Sequence, residues 1–164
     1  MRMPTPTDSV GILRRIFLNV SHPEDPYNLA RFMEAQAADY SRALSELRAG
    51  AKRSHWMWYV FPQIDGLGHS PMSRRYSIKS AAEARAYLDH TVLGGRLREC
   101  FAVVYDTAGR SALEIFGSPD DLKLRSCATL FSSVSDEEIF EQVLEKYFDG
   151  KRDEETIRLL RTSN

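Results

Sequence analysis

The chain holds 164 residues, 43% of them hydrophobic and 27% charged, which fits one globular domain with a substantial core. Its 22 Lys+Arg nearly balance 23 Asp+Glu, for a formal net charge of −1, which speaks against a dedicated duplex-DNA binder, since that needs a strong positive field. No run approaches the roughly 20 apolar residues of a membrane span, and arginines interrupt the only N-terminal stretch resembling a secretory signal, so a cytoplasmic protein with no membrane partner is expected.

In chain order, residues 1–24 are Pro-punctuated and aperiodic, the pattern of a flexible or loosely docked arm. Residues 25–164 read as a single, mainly α domain of about six to eight helices. From Tyr27 to about Arg48 the apolar residues Leu29, Phe32, Met33, Tyr40, Ala43, Leu44 and Leu47 share one helical stripe, and Gly50 is placed to end it. The block KRSHWMWYVFPQIDGLG, residues 52–68, changes character. Aromatic and β-branched residues fill positions 56–61, with Pro62 and two glycines behind them, which predicts a buried strand or extended segment. Any β element in the protein is expected here, and a small one.

Helix signals then return. Ser80 with Glu83, Ser111 with Glu114 and Ser135 with Glu138 have capping-box spacing. Ser118-Pro119-Asp120-Asp121 offers a cap, a first-turn proline and acids at a helix N-terminus. Helices are predicted near 81–89, 92–107, 112–116, 119–133, 136–148 and 154–161. Cys100 and Cys127 sit in amphipathic stretches and read as core thiols.

Neither a phosphate-cradling P-loop nor the glycine fingerprint of a dinucleotide fold occurs, and the four histidines are scattered. No cofactor and no metal site is implied. The local anomaly is the aromatic block, which carries both tryptophans of the chain, Trp56 and Trp58. They either form the centre of the core, or one of them faces a pocket and stacks on a planar ligand. Between residues 52 and 79, the bases Lys52, Arg53, Arg74, Arg75 and Lys79 face only Asp65, an island suited to an anionic partner or to solvent. Two polar residues fall on apolar helix faces. Gln36 either ties down a backbone group or points into a cleft. Lys123 either snorkels beside the acids of its own helix or serves a site.

The runs DPYNLARFMEAQ, KRSHWMWYVFPQIDGLGHSPMSRRYSI, ARAYLDHTVLGGRLREC and IFGSPDDLKLRSCATLF, spread over about residues 25–161, resemble one bacterial family of unknown function. Its members are often labelled calpastatin. That label does not suit these residues, because such an inhibitor is disordered and poor in aromatics. More distantly, the F-x-E-A-Q helix is similar to a superfamily associated with NAD and ADP-ribose metabolism, some of whose members cleave N-glycosidic bonds. The resemblance implies a domain that binds or hydrolyses an N-ribosylated or nucleotide-like small molecule. In that picture Trp56 or Trp58 stacks the base, and Arg53, Arg75 or Lys123 meets phosphate. Gln36 and Gln63 fix the orientation, while Glu34 or Asp121 activates water. The alternative is a non-enzymatic module whose aromatic–basic surface docks a protein or RNA partner.

Overall fold

Residues 24–163 are described by the computed structural model, and they form nine helices: α1 (Ala30–Arg48), α2 (Met57–Val60), α3 (Pro71–Arg75), α4 (Ala81–Asp89), α5 (Thr91–Asp106), α6 (Ala112–Phe116), α7 (Asp120–Val134), α8 (Glu138–Phe148) and α9 (Glu154–Thr162). The expected N-terminal arm lies almost wholly outside the described residues. The mainly α reading holds, and the two helices beyond the expected set both fall between residues 57 and 75.

Helix α1 buries its expected stripe through Phe32, Ala43, Leu44 and Leu47. It starts at Ala30, later than the periodicity suggested, because Asp25 supplies the cap from outside: its carboxylate accepts from the N–H groups of Leu29 (2.7 Å) and Ala30 (3.0 Å). Gly50, with φ +72°, takes the left-handed conformation beyond the last turn that glycine adopts without penalty.

The aromatic block departs from expectation. Residues 57–60 form a single helical turn, with Val60 N–H on Trp56 O and Phe61 N–H on Met57 O. A strand needs a neighbour to take up its backbone groups. Among the described residues the only ladder contact is an isolated parallel bridge between Ile64 and Ile78. With no partner along its edge, the segment closes its hydrogen bonds locally.

Of the three capping signals, Ser111 and Glu114 make the full reciprocal box at α6. Ser80 caps α4 through Glu83 N–H, but the Glu83 side chain turns away to Arg31. Ser135 ends α7 with its hydroxyl on Phe131 O, and α8 begins only at Glu138. Helix α7 starts at Asp120 with Pro119, not Ser118, in the capping position.

Helix α8 packs on both α5 and α7, with α1 and α4 against α5, and α4, α6 and α9 against α7. Aromatic side chains thread this core. Phe32 meets Tyr87 edge-on (5.1 Å between centroids), and Tyr87 leads through Phe131 to Phe140, Phe101 and Phe61. Such offset and edge-on pairs add to the stabilisation from area burial. Cys100 and Cys127 are buried in the same core as free thiols, and burial pushes the Cys100 thiol up to about 12. No helix among the described residues is long and apolar enough to cross a membrane.

Candidate functional site

A cleft of about 280 Å³ opens between the first half of α7 and the segment running from α2 through the Ile64–Ile78 bridge. Trp58 stands on one wall and Leu122 and Lys123 on the other, with Gln63, Ser73 and Ser77 between them. The helical turn explains why Trp58 is there. At about 100° per residue, positions two apart diverge by about 200°, so Trp56 and Trp58 leave α2 in nearly opposite directions. An extended segment would have put them side by side. Trp56 is 1% exposed and packs on Phe61, with its indole N–H donated to Glu46 at 3.1 Å. It is core and, contrary to expectation, has no face free to stack on a ligand.

Two further devices shape the walls. The Glu46 carboxylate on α1 accepts from the N–H groups of Arg53 and Ser54 and from the Ser54 hydroxyl, besides the Trp56 indole. Burial pushes the Glu46 carboxyl up, but these four hydrogen bonds outweigh it and hold the group down at about 2. The entry to α2 is thereby fixed. On the opposite side, Arg31 is buried and spends its guanidinium on the carbonyls of Tyr27, Asn28, Arg75 and Ser77 and on Glu83 Oε2 at 3.1 Å. Burial raises the Glu83 carboxyl above its ordinary range, and the Arg31 charge opposes that only in part. This clamp fixes the stretch that brings Ser77 to the cleft. Glycine is required at residue 68, where a Cβ would fall 2.6 Å from Ser73 Oγ.

Lys123 belongs to a Lys–Asp–Lys group whose other members, Lys52 and Asp120, stand behind the cleft wall rather than on it. Lys123 Nζ lies 3.1 Å from Asp120 Oδ1 and 5.4 Å from the Trp58 ring centroid. Lys52 Nζ lies 2.9 Å from Asp120 Oδ2 and 5.0 Å from the Trp56 ring, and donates to Ser54 O. Each lysine thus sits on a tryptophan and shares one carboxylate with the other.

Of the residues singled out in the sequence, Trp58, Gln63 and Lys123 meet at the cleft. The others do not. Gln36 is buried and committed: its amide donates to Tyr59 O (2.8 Å) and Tyr87 Oη (3.1 Å) and accepts from Arg96. Glu34, two positions earlier, is exposed on the far side of α1. Arg53 is exposed, and only its main chain is used, by Glu46. Arg75 is exposed with its guanidinium over Tyr76. Asp121 is half-buried on α7 and does not line the cleft. No carboxylate lines it among the described residues, so neither Glu34 nor Asp121 is placed to activate water there. Lys52 and Asp120 were both marked in the sequence, as part of the basic island and as an acid beside Lys123, but not as partners of each other. The i, i+3 spacing carried the pairing of Asp120 with Lys123; nothing local carried that of Lys52 with Asp120, across 68 positions.

A family profile described as "Protein of unknown function (DUF1810)" matches residues 26–160. Comparison with solved structures finds similarity to the crystal structure of the conserved hypothetical protein Rv1873 from Mycobacterium tuberculosis. It is 53% identical, with a TM-score of 0.83, and the match covers 84% of this chain and 99% of that one. Comparison with curated proteins finds no match.

Proposed function

The chain belongs to the DUF1810 family, and from the geometry of its cleft we propose that it binds a small, planar, nucleotide-like molecule, with the ring packed against Trp58. The observation that carries this reading is the company Trp58 keeps. A large aromatic face, the Gln63 amide, small hydroxyl side chains and one lysine converge on a single cavity. Apolar walls with a few convergent polar groups are the usual make-up of a small-molecule site. Its volume of about 280 Å³ lies just under the range of roughly 300–1,000 Å³ for drug-sized ligands. A base or a nucleoside fits that size; a complete dinucleotide does not.

Binding is favoured over N-glycosidic hydrolysis. Hydrolysis of that kind places a carboxylate beside the sugar to stabilise the oxocarbenium-like state or to activate water, and the cleft walls hold none. The aromatic–basic docking surface is the second reading, and it rests on the exposed side chains of Arg53, Arg74 and Arg75, which stand outside the cleft.

Thermal-shift and calorimetric titration against nucleosides, nucleotides and flavin precursors tests the proposal. A ligand at 100 times its Kd stabilises the folded state by about 2.7 kcal/mol, which a melting curve resolves. We expect such a shift in the wild type, weakly dependent on salt, and its loss in Trp58→Ala. Absence of any shift across these compounds, together with RNA binding that weakens steeply with salt, would replace the cleft by the docking surface.

A further inference from the structure

Resting on the reading that the cleft takes a planar ring, we infer that its ligand carries one anionic group, and that Lys123 exchanges Asp120 for that group as the ring enters. The ammonium of Lys123 stands over the Trp58 ring, 5.4 Å from its centroid, in the position of a cation–π contact. Both residues line the cleft. A ring that stacks on this indole therefore displaces the ammonium. A neutral ring gives the displaced cation nothing in return, whereas an anionic substituent gives it a new partner.

Lys52 makes the exchange possible. Its side chain is 7% exposed, and its Nζ holds Asp120 Oδ2 at 2.9 Å and Ser54 O at 2.6 Å. When Lys123 leaves, Asp120 keeps a counter-charge, so no half-buried carboxylate is left unpaired. Two lysines on one aspartate leave a single positive charge over. The remaining polar walls near Trp58 are the uncharged Gln63, Ser73, Ser77 and Ser126, and no other cation lines the cleft among the described residues. A second anionic group would meet no free counter-charge, since Lys79, whose Nζ lies 2.8 Å from Ser77 Oγ, is itself held by Asp65 at 3.0 Å. The ligand class is thus a planar ring with one anionic substituent, either a phosphate monoester or a carboxylate.

The test is isothermal titration of the full chain and its Lys123→Met and Lys52→Met variants with matched probes. These are nucleosides, their 5′-monophosphates and 5′-diphosphates over the common bases, and nicotinamide against nicotinate to separate the two sources of charge. The expected result is at least tenfold tighter binding of the anionic member of a pair, with the diphosphate no tighter than the monophosphate. Lys123→Met brings that ratio to about one while neutral probes bind as before or more tightly. Lys52→Met lowers the ratio at unchanged affinity for the neutral probe, because Asp120 then retains Lys123, and Lys52→Arg restores it. A merely structural Lys52 would shift both affinities together, which counts against the exchange. Should Lys52→Met fail to fold, the Lys123→Met ratio decides. Equal binding of charged and neutral probes by the wild type overturns this inference and leaves the cleft reading standing. A further tenfold gain for diphosphates overturns the single-group assignment, and binding of no probe overturns both.

Discussion

Trp56 and Trp58 carry the same side chain two positions apart and do opposite things. Trp56 is buried against Phe61 and bonded to Glu46, whereas Trp58 is half-buried at the cleft. Truncating a buried aromatic removes its transfer free energy and leaves a cavity, so Trp56→Ala is expected to cost about 3–5 kcal/mol. The indole N–H that Glu46 accepts is lost with it. Trp58→Ala loses a partly exposed surface and is expected to leave urea denaturation within about 1.5 kcal/mol of the wild type, while abolishing ligand-induced stabilisation. Equal destabilisation by both substitutions would make the pair a single core unit and remove Trp58 from any site.

Helix α5 shows how one position governs the approach of two elements. The sequence offers Gly94-Gly95 in its first turns, and the two glycines are not equivalent. A Cβ at residue 94 would lie 2.0 Å from the Leu88 carbonyl oxygen, at the end of α4, whereas one at residue 95 meets nothing within 4 Å. The α4–α5 crossing is therefore possible only with glycine at 94. Gly94→Ala is expected to destabilise by about 1–3 kcal/mol, the usual range for overpacking against fixed backbone. Gly95→Ala on the same helix should stabilise by up to about 1 kcal/mol through helix propensity alone. Melting temperatures of the two variants, moving in opposite directions, check the packing of α4 on α5. A common direction for both would contradict it.

For the molecule as a whole, the carboxylates bonded in the folded state set its response to acid. Glu46 is held at about 2 by four hydrogen bonds that the unfolded chain does not make. A group depressed on folding stabilises above its unfolded pKa, near 4.5, and that contribution is lost as pH falls toward 2. Glu83 works in the opposite sense. Its carboxyl is raised by burial, so it favours the folded state most below its unfolded pKa and less as pH rises through the folded value. Stability measured by urea denaturation should consequently fall between pH 5 and pH 2, and Glu46→Gln should flatten that slope while lowering stability at pH 7. An unchanged slope in Glu46→Gln would show that the Glu46 cluster does not persist in solution.

Local signals account for seven of the nine described helices and for most of what they bury. The 3.6-residue stripe of α1, the Ser111–Glu114 box and the acidic first turn of α7 are local signals, satisfied by neighbours within a turn or two. They hold whatever the rest of the chain does. They also marked Trp56, Trp58, Gln36 and Lys123 as out of keeping with a plain core, of which Trp58 and Lys123 reach the cleft and Trp56 and Gln36 are buried. The matters that depend on distant partners were settled by packing. The aromatic block becomes a helical turn because no strand lies beside it, and Trp56 and Trp58 part company for that reason. Gln36 reads the same in sequence whether it faces a cleft or a buried carbonyl; Tyr59 and Tyr87 settle it. Lys52 and Asp120 carry no mark of each other in the sequence, since a charge pair across 68 positions is made by the packing of α7 against the loop after α1. Local propensity acts through neighbours in the chain, but a binding cleft is made of residues that only the fold brings within reach.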